Sequence, residues 1–402
     1  MNLSVIEVYG HQECLRDLCL LLEASSICAT IYTRAEIWQQ VGLQPNEFSG
    51  RVHLITDRDS LPEFFRNFLS EINQSDLVLF NTLDSEFGVF ANLNIVPPTI
   101  VRVHNANTFG RPWTAYNPFS DPGVSWLDLP KIILQSFRAT DLRALARVLE
   151  RATYLMFPDA TITEHVLREK LFDESKVVRN PPRLSHAEVR ERPRRDTRSV
   201  SITVPGSIDP RRRDYGLLVR ALRSAIPRLE SMVELTLLGS PKSRYARAIV
   251  DQVRSLECSA FRLITFDEFV SNDAFAARMD RTDFLILPIS PVMCHRRIFL
   301  ERYGYTKASG SVSDMIRFGL PAIIPNSYPL TGAVRGIAAF YADEFELADL
   351  IVNWVVTRSF EQLDAVASLS DYSLPQATKS LEETLVGLLA RALRAPHVEG
   401  PD

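Results

Sequence analysis

Small and basic residues are grouped in the second half of the chain in a way suited to holding a phosphate. The run Lys307-Ala308-Ser309-Gly310-Ser311 carries little bulk, so its backbone N–H groups allow an anion to approach closely. It opens a short helix expected to begin near Ser311, whose positive end points to the same place. Gly319 suits the left-handed position that closes such a helix. Upstream, the apolar run Ser201–Val204 ends in Pro205-Gly206-Ser207 and leads to a basic turn, Arg211-Arg212-Arg213. A phosphate held there would receive paired guanidinium contacts from Arg212 or Arg213 and a point charge from Lys307. In the first half, His11 and His104 each follow an apolar run. An imidazole at such a position can orient a hydroxyl or accept its proton.

These residues need elements to position them, and the chain supplies an alternation of short aliphatic runs and helical segments, the pattern of parallel α/β sheets. Strands are expected at Leu3–Tyr9, Ile27–Tyr32, Val52–Ile55, Asp76–Asn81, Thr99–Val103 and Thr153–Phe157. A second series is expected at Val200–Val204, Val233–Leu238, Arg262–Phe266, Asp283–Leu287 and Ala322–Ile324. Ser60–Asn73 has apolar residues at helical spacing, and the chain after Asp343 reads as helical over Phe345–Thr357 and Gln376–Arg394. At 402 residues the chain exceeds a single compact core. Two doubly wound, Rossmann-like α/β domains facing across a cleft are expected, with ligands outside the carboxyl ends of their strands. The expected divisions are a first domain over 1–182, a linker over 183–198, a second domain over 199–358, and helices over 359–402 that pack back toward the first domain. The linker reading rests on Pro193 and the arginines at 190, 192, 194, 195 and 198.

Composition removes several classes. With 46% hydrophobic residues, 23% charged residues and a net charge of −4, the chain lacks the basic excess of a general nucleic-acid binder. No apolar run is long enough to span a bilayer, and Met1–Gly10 reads as a first strand rather than a signal peptide. The odd set Cys14, Cys19, Cys28, Cys258 and Cys294 has no metal-type spacing and reads as reduced core thiols of a cytoplasmic protein. Asp57-Arg58-Asp59 resembles a metal-holding Asp-x-Asp pattern, but reads as a loop carboxylate pair, and no metal is expected. No glycine fingerprint for a nicotinamide dinucleotide follows the first strand.

Over most of Val200–Asp343 the chain resembles glycosyltransferases of the GT-B fold, particularly the retaining class that uses nucleotide sugars. The residues that carry this are Gly206 with the arginine turn, the leucine-bearing helix after it, Leu235–Ser240, Ile264–Val270 and the strand ending at Pro288. In the first half, His104-Asn105 and Ser175–Pro182 add to it. The resemblance implies a metal-independent transferase with a nucleotide sugar as donor substrate and no further cofactor. The acceptor would be a saccharide or a lipid-linked sugar, in polysaccharide or glycoconjugate assembly. Gly206, Ser207, Arg212, Arg213, Lys307, Ser309, Gly310 and Ser311 would bind the donor. His104, His11 and Asp314 would act on the sugar, with Asp314 accepting from ribose hydroxyls. Counting back from Pro321, Asp314 takes the second of the family's paired carboxylate positions and Thr306 stands at the first.

Other readings of the same residues stand beside this one. Ser311-x-x-Asp314 also fits a helix capping arrangement, Arg211–Arg213 also fits a solvated turn, and His295-Arg296-Arg297 reads as a solvated cluster or one able to reach the donor cleft. An epimerase or hydrolase of the same fold would act on the nucleotide sugar without an acceptor, and an inactive sugar-binding relative would bind without turnover. Asn105–Trp126 is rich in aromatics, prolines and glycines and suits an acceptor loop. Lys131–Arg151 reads as one basic amphipathic helix, able either to rest on an anionic membrane or simply to bury one face.

Overall fold

The computed structural model describes residues 1–43, 47–119, 127–181, 183–186, 199–363 and 365–394. Two compact units divide the chain: Met1–Pro182, Cys294–Glu301 and Leu374–Asp402 in one, Arg183–Met293 and Arg302–Ser373 in the other. Most of the arginine-rich segment read as a linker, 187–198, lies outside the described residues. Residues 183–186 are held in the second unit, where Ser185 donates from its hydroxyl to the Ile316 carbonyl at 2.9 Å.

In the first unit seven strands form one parallel sheet: β1 (Asn2–Glu7), β2 (Cys28–Arg34), β3 (Arg51–Ile55), β4 (Leu77–Thr82), β5 (Thr99–Arg102), β6 (Tyr154–Phe157) and β7 (Val177–Arg179). Their order is β3-β2-β1-β4-β5-β6-β7. The order reverses beside β1, so the loops after β1 and β4 open at the switch point where doubly wound sheets bind ligands. The second unit holds β8 (Ser199–Pro205), β9 (Met232–Leu238), β10 (Phe261–Ile264) and β11 (Phe284–Ile286); a two-stranded ribbon follows in the chain, β12 (Val292–His295) and β13 (Phe299–Arg302), most of which belongs to the first unit. Two further strands, β14 (Ala322–Pro325) and β15 (Ala338–Tyr341), complete a six-stranded sheet ordered β10-β9-β8-β11-β14-β15.

Successive side chains of a strand face opposite sides, and β11 shows why its run is apolar throughout. Phe284 and Ile286 enter one core with Ile202, Leu218 and Trp354, whereas Leu285 and Leu287 enter the other with Met315 and Ile324. Both faces are covered by helices, as a parallel sheet requires.

Several expectations are corrected. Lys131–Arg151 is two helices, Leu129–Thr140 and Leu142–Arg151, broken at Asp141, whose backbone is left-handed (φ 38°) and whose carboxylate accepts from Ala144 N. His295-Arg296-Arg297 is not a solvated cluster: it turns the β12–β13 ribbon, and His295 and Arg296 pair with Asp84 at 3.6 and 3.5 Å. Cys28 and Cys258 are exposed rather than core thiols. The strands β7, β12, β13 and β15 are additional to those read from sequence.

Candidate functional site

Each unit gathers the expected residues at the carboxyl ends of its own strands. In the second unit β8 ends at Pro205, and Gly206 follows with φ +88°, a conformation open to glycine. A Cβ on Gly206 would lie 2.5 Å from Arg213 Nη2, and one on Gly239, after β9, would lie 2.3 Å from the Gly206 carbonyl oxygen. The two glycine turns therefore nest against each other, with Arg213 beneath.

Arg213, expected as a phosphate cation, is engaged by the protein itself. Its guanidinium is buried and donates to three protein acceptors: the Pro205 carbonyl at 2.6 Å, the Ser207 carbonyl at 2.8 Å and Ser311 Oγ at 2.7 Å. It pins the turn after β8 to the first turn of the helix Gly310–Phe318. Arg211 is held by Asp209 through two contacts, 3.0 and 2.8 Å. Arg212 stays half-exposed at 54%, with only a 4.0 Å approach to Asp209. Arg211 and Arg212 are both exposed, and Arg212 is the less tightly held of the two.

The helix Gly310–Phe318 begins one residue before Ser311, with Ser309 as N-cap and no side-chain cap. Ser311 thus stands inside the first turn and is engaged by Arg213, so the capping box with Asp314 does not form. A Cβ on Gly310 would meet nothing within 4 Å, which leaves open space before the helix start. Gly319 closes the helix in the left-handed conformation, φ 59°. Lys307 is half-buried and its carbonyl accepts from Gly304 N at 2.8 Å, while buried Thr306 gives its hydroxyl oxygen to Arg302 N at 2.8 Å. Asp314 is half-buried one turn into the helix.

In the first unit the loops after β1 and β5 bring His11 and His104 together. The rings stack with centroids 4.6 Å apart and planes 7° from parallel. His11 takes a left-handed backbone, φ 57°, at the start of the helix Gln12–Glu23, an uncommon conformation for a residue with a side chain. His104 Nε2 lies 3.0 Å from the Asn81 carbonyl oxygen. A carbonyl only accepts, so Nε2 carries the hydrogen, and in the neutral ring Nδ1 is the basic nitrogen.

Beneath these rings runs a buried polar chain that the sequence reading missed. Asn81 Nδ2 donates to Glu7 Oε2 at 2.6 Å, Arg102 donates to Asn81 Oδ1, and Arg102 Nη2 reaches Asn180 Oδ1 at 2.9 Å. The chain links the carboxyl ends of β1, β4 and β5 to the residue after β7. Burial pushes the Glu7 carboxyl up to about 7, against the lowering effect of its hydrogen bonds and of His11. Its full burial makes it a framework group. The signal was available: Glu7, Asn81 and Arg102 are polar residues at the ends of apolar runs, each of which must find a buried partner.

Glu301, at the end of the ribbon, is a second missed residue. Fully buried, its carboxylate accepts from Thr108 N at 2.8 Å, Thr108 Oγ1 at 2.7 Å and Asn107 N at 3.2 Å. It thereby fixes the short helix Ala106–Gly110, just beyond His104. Asp59, of the rejected Asp-x-Asp, accepts from Thr56 N and Oγ1 at 2.7 and 2.8 Å and closes a turn.

No family model matches the sequence, and no curated protein matches it. Solved structures do match the fold. Anabaena HepE in complex with UDP superposes with a TM-score of 0.64 at 12% identity, over 96% of this chain and 100% of that one. The N-terminal domain of Candida albicans trehalose-6-phosphate phosphatase gives 0.59 at 9% identity, over 97% of each chain. UDP-GlcNAc 2-epimerase from Neisseria meningitidis, bound to UDP-GlcNAc, gives 0.51 at 14%, over 96% of this chain and 100% of that one. The chain has the GT-B fold. The GT-B architecture accounts for the two parallel sheets, each wound on both faces, and for candidate residues gathered at their carboxyl ends.

Proposed function

We propose that the protein is a metal-independent glycosyltransferase that moves a sugar from a nucleotide-sugar donor to a saccharide or lipid-linked acceptor. The observation that carries this reading is the arrangement after β8. Two nested glycine turns, an arginine-pinned helix start and the outward Arg212 surround one loop system. Close backbone approach with fixed N–H groups and a guanidinium suits a diphosphate. HepE shares the fold in its complexes with UDP and with UDP-glucose, which makes uridine nucleotides the first donors to try.

In the proposed reaction the bond from anomeric carbon to phosphate breaks through an oxocarbenium-like state, and negative charge grows on the departing nucleotide. Arg212, Lys307 and the N–H groups of Gly310 and Ser311 would stabilise that charge. Asp314 would accept from ribose hydroxyls. His104 would take the acceptor's proton, with His11 stacked beside it to hold the ring. Retention of configuration and a role in polysaccharide or glycoconjugate assembly complete the reading. Among the described residues no helix is long and apolar enough to cross a membrane. Peripheral contact with the inner membrane face is supported by the exposed Trp113, Phe119, Leu127 and Leu134, close in sequence to Lys131 and Arg138. Salt-sensitive flotation with anionic liposomes checks it.

The epimerase neighbour supports a second reading, action on the nucleotide sugar alone. Incubation with donor in the absence of acceptor separates the two: rapid epimer formation selects the second. The primary test is a thermal-shift series with UDP, GDP, dTDP, ADP and CMP, followed by Arg212→Ala. One of the five is expected to raise Tm, and the variant to weaken it by about 1.5–3 kcal/mol, the size of one charged hydrogen bond. Absence of a shift with all five nucleotides removes the proposal.

A further inference from the structure

The first sheet carries a groove on the side away from the histidine pair, at the amino ends of its strands. It measures about 680 Å³, within the roughly 300–1,000 Å³ typical of small-molecule sites. Phe90, Leu93, Val96 and Val148 form much of its wall, and Thr99 and Tyr154, which open β5 and β6, form its floor. Three cations also line it: Arg151, Lys176 and Arg391.

These cations are held in place by carbonyl oxygens, and Asp173, outside the lining, lies near enough to Lys176 to feel its charge. Lys176 Nζ donates to the carbonyls of Leu149 at 3.3 Å and Glu150 at 2.6 Å. Arg151 Nη1 donates to the Ala91 carbonyl at 2.8 Å. Arg391 donates to the Ser175 carbonyl, and its guanidinium lies 5.1 Å over the ring of Tyr154. Tyr154 is itself fixed by donating to the Leu388 carbonyl at 2.9 Å. No carboxylate lies among the lining residues, and none of the three cations has an ion-pair partner among the described residues. Carbonyl oxygens orient a cation but leave its net charge intact. An apolar groove lined by three oriented cations and no carboxylate is complementary to a molecule with an apolar tail and an anionic head.

We propose that this groove binds a single-chain anionic amphiphile, its tail along the Phe90–Val96 wall and its head among Arg151, Lys176 and Arg391. The site is separate from the proposed sugar-transfer residues and does not depend on them. Free fatty acid and a phosphorylated lipid share this chemistry, and the probes separate them.

The test is calorimetric titration of the full chain, below micelle-forming concentrations, with dodecanoate, dodecyl phosphate and dodecyltrimethylammonium. One or both anions should bind with a stoichiometry near one, and the cation at least tenfold more weakly. The tighter anion identifies the source. Lengthening the tail should tighten binding by up to about fourfold per CH₂, and raising the salt should weaken it. Val96→Asp puts a negative charge in the wall at a residue already 72% exposed, so the fold is retained. It should reduce affinity at least tenfold, and Arg391→Gln severalfold. The proposal is overturned if neither anion binds, if the cation binds equally, or if both variants bind like the wild type. Association of the chain into dimers without amphiphile binding, read by light scattering, would assign the groove to a second copy and also overturn it.

Discussion

The carboxyl ends of the two sheets are built by opposite means. In the first unit they are lined with titratable and amide side chains: stacked His11 and His104 above Glu7, Asn81, Arg102 and Asn180. In the second the working surface is mostly backbone, shaped by Gly206 and Gly239 and braced from below by Arg213. Side chains exchange protons, whereas fixed N–H dipoles bind anions without titrating. The first region suits proton chemistry at ordinary pH, and the second suits an anion whose charge does not depend on pH. The contrast teaches that a basic residue in a glycine-rich loop can serve by shaping the loop.

The sharpest way to break this comparison is Arg213→Met. The substitution keeps the unbranched apolar stem of the side chain and leaves the Pro205 carbonyl and Ser311 Oγ without this donor, while the Ser207 carbonyl retains Asp209 N at 3.1 Å. Unsatisfied buried groups cost about 1–3 kcal/mol each, so a stability loss of about 3–5 kcal/mol is expected by urea titration. Nucleotide affinity should fall with it, whereas Arg212→Ala should lose affinity and keep its stability. If Arg213→Met is stable and merely fails to bind nucleotide, Arg213 is a phosphate ligand and the brace is wrong. Gly239→Ala is the next step down, at roughly 2–3 kcal/mol. Its Cβ would meet the Gly206 carbonyl oxygen at 2.3 Å, an atom of rigid backbone that must move.

Glu301→Gln should cost about 1.5–3 kcal/mol, the value of hydrogen bonds to a charged group. It retains one acceptor for the Thr108 and Asn107 donors where the carboxylate had two. If His104 acts in catalysis, kcat should fall more than KM rises, because the helix after His104 is loosened while the donor loop is untouched. A change confined to KM would detach Glu301 from the histidine pair.

Much of the fold was legible because central parallel strands are apolar on both faces. β11 and β14 announce themselves as unbroken apolar runs, and β1 and β8 as aliphatic runs interrupted only by small hydroxyl residues. The strands that escaped are those without that property. β7 is three half-buried to exposed residues, β15 lies at a sheet edge, and β12 carries Cys294 and His295 in a ribbon rather than in a sheet. The break at Asp141 was written as an aspartate three residues before Ala144, an N-cap spacing that the run of basic residues obscured. At the site, residue type and strand-end position marked His11, His104, Gly206 and Ser311. What the sequence withheld was which cation faces inward. Arg211, Arg212 and Arg213 are chemically identical, and only the turn geometry gives one to Asp209, one to solvent and one to the Pro205 and Ser207 carbonyls.

The smallest net effect expected at any single pH belongs to Glu7→Gln, and it is the one whose size changes with pH. Burial raises the Glu7 carboxyl from about 4.5 to about 7, so the folded chain holds a proton there that the unfolded chain releases. Between those values the folded state binds more protons, and stability falls as pH rises, by up to about 1.4 kcal/mol per pH unit. The penalty is absent below about pH 4.5 and complete above about pH 7, where it reaches roughly 3 kcal/mol. Glutamine escapes it but turns an amide N–H₂ toward either Asn81 Nδ2 or Tyr9 N, both donors, at a cost of about 1–3 kcal/mol. The variant should therefore be less stable than the wild type near pH 5 and draw level or pass it near pH 8. Urea midpoints across that range measure the crossing. The corresponding scan of Arg213→Met should run parallel to the wild type, since its brace involves no group that titrates there. A pH slope unchanged by Glu7→Gln would move the titrating group elsewhere and erase the contrast between a proton-handling edge and a backbone-built one.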